Sequence, residues 1–456
     1  MNIQLKKTNP PVMSDYNDQI ILSDKIYADR KDNLISSMEN KGVDIAVIYA
    51  DREHAANFEY FTGFVPRFEE ALLVVHRDGK SYLVLGNENM KMAKFSRLSC
   101  EAIHAPILSL PSQPMYDQEN LDEILTKSGI TSEKVVGIIG WKLFTTQQNN
   151  STLFDLPYFI IESIQSISKS VLNITDILIS PLYGIRTMHS AEEIAYLEYG
   201  STLAGVCMFN TLNNVNLKKT EVELANSLSY GGQPHTVTTI TANGDRFSNA
   251  IVYPRDKKIS LGHKISLTVG YKGGLSSRAG YVANTSEDLN ESEKQYLEKV
   301  AIPYYTAITT WLENFKIGTK GDNFYNLIND IFPKEQYGWE LNPGHFTATE
   351  EWLSSPFYPN SQCTIKSGQV YQIDIIPSVK GYGGVSCEDG VAIADYDLRN
   401  KIKETYPDLW QRFERRRNYI IEELGIHLPE EVLPMNDIVA YYRPFLLNQE
   451  TTLVSE

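Results

Sequence analysis

The chain has 456 residues, 42% of them hydrophobic and 22% charged, and 42 Lys and Arg against 57 Asp and Glu give a formal net charge of −15. The length is too great for one small domain and suits two, and the composition is that of a globular protein. The acidic balance argues against nucleic acid and anionic membrane as partners, and no apolar run approaches a membrane span. Four cysteines, Cys100, Cys207, Cys363 and Cys387, show no Cys-x-x-Cys spacing. That points away from a zinc knuckle or disulfide framework and toward a reducing cytoplasm.

Residues 1–20 read as a polar arm, disordered or draped, with Pro10-Pro11 blocking regular structure and no apolar core of a signal peptide. From Ser23 or Asp24 as cap, Ile26, Leu34, Ile35 and Met38 keep a helical period. Asp44–Ala50 is a short apolar run that predicts a buried strand, and Asp51–Asn57 a turn. Ala71–Val75, the turn Arg77-Asp-Gly-Lys80 and Tyr82–Leu85 predict a β-hairpin. Val135–Ile139 is a further buried strand. Strands alternating with helices predict an α/β domain over the first third of the chain.

Leu178–Thr187 reads as the domain boundary. Beyond it Ser190 and Glu193 form a capping box for a helix running through Met208 and Leu212, and Thr220 with Glu223 forms another. Thr236–Thr241 and Ile265–Val269 carry strand signals. Helices are predicted from Glu291 to about Phe315, from Asp322 to about Ile331 and from Leu409 to Glu423. The tail Leu433–Phe445 is aromatic, contains prolines and carries little charge. Such a tail drapes over its own domain or over a partner subunit.

The richest stretch is Lys366–Pro377 with Gly383–Ile393 close behind. Tyr371, Ile373 and Ile375 fall on one strand face, Gln372 and Asp374 on the other. In the second run Ser386 and Glu388 oppose Val385 and Cys387. Pairing of these two runs as neighbouring strands would put Asp374 and Glu388 on one face. Upstream, Asn342-Pro-Gly-His-Phe346 presents His345 on a turn. One imidazole and two carboxylates make a ligand or acid–base set. Taken alone, the same residues would equally suit a solvated strand face and a surface histidine.

Gly344-His345, then Ser367-Gly-Gln-Val-Tyr-Gln-Ile-Asp374, then Gly384-Val-Ser-Cys-Glu388-Asp389 resembles the pita-bread superfamily of aminopeptidase P, proline dipeptidase, methionine aminopeptidase and creatinase. The resemblance implies that His345, Asp374 and Glu388 stand at that family's last three metal-ligand positions. Asn57–Gly63 is similar to a motif of the creatinase N-terminal domain. Arg186 and Glu192-Glu193 match the opening of the catalytic half, where His189 replaces the usual Lys and is read as a surface residue. The fold implied is an arm over 1–20 and a creatinase-like α/β N-terminal domain over 21–180. An α+β pita-bread domain over 187–398, a curved antiparallel sheet flanked by helices, follows. A C-terminal helix and draped tail cover 399–456. The family also implies a homodimer.

In the two-metal members, four carboxylates and one His hold two ions. Here Thr268 stands at the first Asp position and Ser277 at the second, and no Asp or Glu lies between Asp256 and Glu287. The resemblance therefore implies lost dinuclear binding, and no cofactor is expected. The alternative is a single divalent metal on His345, Asp374 and Glu388. Creatinase is the metal-free precedent, but Tyr253 takes the place of its proton-shuttling His. The candidate pocket thus comprises His345, Asp374 and Glu388 as catalytic groups, with Tyr253, Arg278, Thr268, Ser277 and His235 binding substrate. Three functions follow: a metal-independent enzyme cleaving a C–N bond in a small amide, amidine or amino-acid derivative; a single-metal Xaa-Pro dipeptidase or aminopeptidase; or a non-catalytic protein that binds a peptide or small molecule.

Overall fold

The computed structural model describes residues 2–15, 19–66, 68–113, 119–146, 150–246 and 248–456. The chain divides into two units: Leu22–Arg186, and Met1–Ile21 together with Thr187–Glu456.

The polar arm expected at the N-terminus holds a strand. In β1 (Ile3–Lys7) Ile3 and Leu5 alternate with polar residues, and β1 pairs antiparallel with Thr451–Ser455, Ile3 opposite Ser455. Alternation over five residues is enough to make a strand once a partner satisfies its backbone. Tyr16–Asp18, within the same expected arm, lie outside the described residues.

In the Leu22–Arg186 unit, β2 (Ile45–Ala50), β3 (Ala71–His76), β4 (Ser81–Leu85), β5 (Glu101–His104), β6 (Val135–Ile139) and β7 (Ser170–Asn173) form one sheet in the order β5-β4-β3-β2-β6-β7. Every residue of β2 is buried, as a strand covered on both faces requires. The turn expected over Asp51–Asn57 gives way to a helix, Ala56–Thr62, ended by Gly63 at φ 76°. Asn57 locks that helix in place. Its amide donates to Gly140 O at 2.6 Å and its side-chain oxygen accepts from Arg186 Nη1 at 2.7 Å.

In the other unit, the strands are β8 (Ile240–Asn243), β9 (Lys264–Tyr271), β10 (Gly274–Tyr281), β11 (His345–Phe346), β12 (Gln369–Gln372), β13 (Ser386–Glu388), β14 (Gly390–Ile393), β15 (Val432–Pro434) and β16 (Thr451–Ser455). The first eight build two four-stranded antiparallel sheets, β13-β10-β9-β8 and β11-β12-β14-β15, and β16 is the partner of β1. Helix Ala191–Asn214 starts at the expected capping box, with Ser190 and Glu193 bonding each other's backbone N–H. It packs on β9 and β10. A Cβ at Gly200 would lie 1.8 Å from Lys272 O, so only glycine permits that approach.

His189, expected at the surface, is buried, and its N–H donates to Gly368 O at 2.7 Å. The tail is interior, not a drape. Leu433, Met435, Ile438, Val439, Tyr441, Tyr442 and Phe445 are all buried. Tyr442 donates to Ala279 O and Tyr305 donates to Ala440 O, each at 2.9 Å.

Candidate active site

The run Gly383–Ile393 is not one strand beside β12. It breaks at Asp389: β13 joins the sheet of β10, and β14 pairs with β12 in the other sheet. Arg278 causes the break. Its Nη2 meets Asp389 Oδ2 at 2.6 Å, and Asp389 Oδ1 also accepts from Ser276 Oγ at 2.8 Å and Asn436 Nδ2 at 3.0 Å. With Asp389 held on the back of the sheet, Glu388 must face the other way. Ile373 N–H donates to Asp389 O at 3.0 Å, which ties the segment carrying Asp374 to the same point.

Across β9, β10 and β13, Thr268 lies opposite Ser277 and Ser277 opposite Glu388, so the three share a sheet face. Thr268 and Ser277 bond to each other, oxygen to oxygen, at 2.9 Å. Ser386 Oγ donates to Glu388 Oε1 at 2.8 Å.

His345 begins β11 opposite Gln372 and has no solvent exposure. Gly344 before it sits at φ 126°, where a Cβ would also press on Gln372 O at 2.9 Å. The His345 ring stacks on Trp352 with centroids 4.1 Å apart. Nδ1 lies 3.0 Å from Phe346 O. A carbonyl only accepts, so Nδ1 carries a hydrogen. Nε2 lies 3.1 Å from Glu351 Oε1 and 3.7 Å from Asp374 Oδ2. The Glu351 contact is an ion pair at short range rather than an aligned hydrogen bond, since Nε2 has no partner of good angle. Two carboxylates facing Nε2 favour the protonated ring over a bare lone pair.

The titrations follow from this crowding. Burial works against a charged His345, but Glu351 and Asp374 outweigh it and hold the ring's pKa above the usual value. Asp374 is pushed up to about 6, chiefly by burial and further by Glu351, with His345 pulling the other way. Glu388 is raised well above the carboxylate range by burial and then by Asp374. Glu388 also interacts electrostatically with Arg246, which lies at an exposed turn after β8.

Of the predicted site residues, His345, Asp374, Glu388, Thr268 and Ser277 come together. Arg278 does not join them. It follows Ser277 on the strand and therefore points to the opposite face, where its donors go to Asp389, Tyr441 O, Ser277 O, Glu388 O and Ile438 O. His235 also lies elsewhere. It packs edge-on against Tyr271, whose side chain is on the β9 face opposite Thr268. Tyr253 is 60% exposed.

Glu351, Trp352 and Arg246 are additions that the spacing of the sequence does not announce. Glu351 and Trp352 reach His345 because Phe346 pairs with Ser354 and turns the chain back on itself. A cavity of about 330 Å³ lies elsewhere, beside Glu198, Tyr406 and Arg412. Glu198 and Arg412 there already satisfy each other, at 2.7 and 2.9 Å.

Residues 30–148 match the family model of the Creatinase/Prolidase N-terminal domain. The chain aligns with the Xaa-Pro dipeptidase of Bacillus anthracis at TM-score 0.60 and 17% identity, over 81% of this chain and 96% of that one. It aligns with the prolidase of Pyrococcus horikoshii OT3 at TM-score 0.61 and 19% identity, over 80% and 95%. This is a pita-bread fold. The X-Pro aminopeptidase of Thermotoga maritima has it too, at TM-score 0.60 and 16% identity over 80% of this chain and 95% of that one. Among curated proteins none matches this chain. The unit of Met1–Ile21 and Thr187–Glu456 contains both four-stranded sheets and carries His345, Asp374 and Glu388. No described helix is long and apolar enough to cross a membrane.

Proposed function

We propose that this chain is a metal-independent hydrolase that cleaves a C–N bond in a small amide, amidine or amino-acid derivative. The observation that carries this reading is the pairing of Asp374 and Glu388, two buried carboxylates whose pKa values both rise, that of Asp374 by burial and Glu351 and that of Glu388 by burial and then Asp374, close to His345. Carboxyl groups tuned toward neutrality are the equipment of general acid–base catalysis. Water attacks the carbon of the C–N bond, and Asp374 takes the proton that water gives up. Glu388, carrying a proton, delivers it to the departing nitrogen. The proton on Asp374 then returns to Glu388 and restores the starting state. Thr268 and Ser277 supply hydroxyls for orienting the substrate, and His345 balances the cluster's charge.

The two ions used by other pita-bread enzymes do not suit this donor set. Thr268 and Ser277 bond to each other instead of offering carboxylates, and among the described residues no group of three or more His, Cys, Asp or Glu is arranged to hold a metal ion. A second reading, one divalent cation on His345, Asp374 and Glu388, draws support from the excess negative charge there. Elemental analysis after dialysis against zinc or manganese tests it, and an empty site under saturating metal would remove it.

The deciding experiment screens small amides, amidines and Xaa-Pro dipeptides with chelator present. We expect turnover that is insensitive to chelator and drops at least about 100-fold in Asp374→Asn and Glu388→Gln. Turnover that depends on added metal would defeat the proposal.

A further inference from the structure

We propose that the cavity of about 330 Å³ beside Glu198 and Arg412 binds a small zwitterion, an α-amino acid with an apolar side chain. Its lining shares no residue with the His345 cluster, and the inference goes beyond the hydrolase reading without depending on it.

The volume is at the lower end of pockets that enclose a small molecule. Helix Ala191–Asn214 supplies Glu198 and Leu203 to the lining, and helix Pro407–Asn418 supplies Asp408, Leu409 and Arg412. Leu203 and Leu409 belong to buried core clusters, so the apolar part of the wall is held by the packing behind it.

The cavity offers both signs of charge. Arg412 Nε and Nη2 donate to Glu198 at 2.9 and 2.7 Å. Those two nitrogens form one edge of the guanidinium, which leaves the N–H pair of Nη1 for a further acceptor. Glu198 also meets Arg416 at 2.7 Å, and Asp437 meets Arg415 and Arg416 at 3.1 and 2.9 Å. Three guanidiniums thus share two carboxylates, and of the three it is Arg412 that lines the cavity. A ligand carboxylate on Nη1 would balance the third cation.

Asp408 stands four residues before Arg412 on the same helix, so it lies on the same face one turn away. It is exposed and lines the cavity, as does Asp15. A simple carboxylic acid would be repelled by these two acids, and a simple amine would gain nothing from Arg412. An amino acid uses both ends, with its side chain against Leu203 and Leu409.

Titration calorimetry of the full chain with L-leucine, N-acetyl-L-leucine and L-leucinamide tests this. We expect one leucine bound per chain, and each derivative, lacking one of the two charges, bound at least about tenfold more weakly. Thr405→Trp puts an indole at an exposed position of the lining and should abolish leucine binding. Asp408→Asn should weaken leucine at least about fivefold and leave N-acetyl-leucine no weaker. Asp408 is exposed, so this second variant carries the test if the tryptophan variant does not fold. No leucine binding, binding that survives Thr405→Trp, an unchanged affinity in Asp408→Asn, or a derivative that binds as tightly as leucine would each overturn the proposal. Failure to find a substrate would count against the proposed hydrolase and leave this result standing.

Discussion

The unit of Met1–Ile21 and Thr187–Glu456 buries two acidic clusters, and they are built on opposite terms. In the first, Glu198 and Asp437 meet Arg412, Arg415 and Arg416. Arg416 bridges the two acids at 2.7 and 2.9 Å, and Arg412 grips Glu198 with two bonds. Ser14 and Thr202 satisfy remaining oxygens. In the second, Glu351, Asp374 and Glu388 surround one imidazole.

The first cluster has more guanidinium than carboxylate, and despite burial its arginines hold both acids below their ordinary pKa values. The second has more carboxylate than cation, and its Asp374 and Glu388 rise. Burial is common to both. What differs is the supply of counter-charge, and only the undersupplied cluster keeps protons that can move near neutral pH.

The strongest way to break the comparison is to remove a guanidinium. Arg416→Met would strand Glu198 and Asp437 in the interior, and we expect a loss of about 3–5 kcal/mol in denaturant unfolding. Arg278→Met should cost a similar amount through Asp389. A variant that keeps its stability while losing ligand affinity would return Arg278 to the substrate-binding role that the alternation of β10 denies it.

The second cluster should respond with the opposite sign. The folded state raises the pKa of Asp374, so its contribution to stability is present below about pH 4 and is lost as pH rises through about 6. Asp374→Asn should therefore gain roughly 2–3 kcal/mol at pH 7 and flatten the fall in stability between pH 5 and 7. The depressed pair Glu198 and Asp437 runs the other way, stabilising above about pH 4 and failing as pH falls through their folded values. Unfolding free energies measured from pH 3 to 8 would separate the two limbs, and a wild-type curve flat from 5 to 7 would contradict the second cluster's charge imbalance. The smallest effect sharpens the site's edge: Tyr253→Phe, at an exposed side chain, should change stability by less than about 0.5 kcal/mol and leave turnover unchanged.

Much of the site was legible because its parts are local. Gly344 before His345, the alternation around Asp374 and the Glu388-Asp389 pair are patterns of a few residues, and the structure brings His345, Asp374 and Glu388 together. The same alternation, applied strictly, would have removed Arg278 from the site, since it follows Ser277 on one strand. His235 rested on its nearness in sequence to a strand and Tyr253 on the position it takes in the family resemblance, and neither says which face is reached.

By itself the sequence determined what short-range chemistry decides: the helix that begins at the Ser190–Glu193 box and the hairpin of β3 and β4. Tertiary structure alone decided the pairing of β1 with β16, the division of Gly383–Ile393 between two sheets at Asp389, and the return of Glu351 onto His345. The first two depend on which distant backbone or counter-charge is nearest once the chain is packed, and the third on the Phe346–Ser354 bridge that folds the chain back. A spacing of a few residues constrains a turn or a cap, but it carries no information about a partner hundreds of positions away.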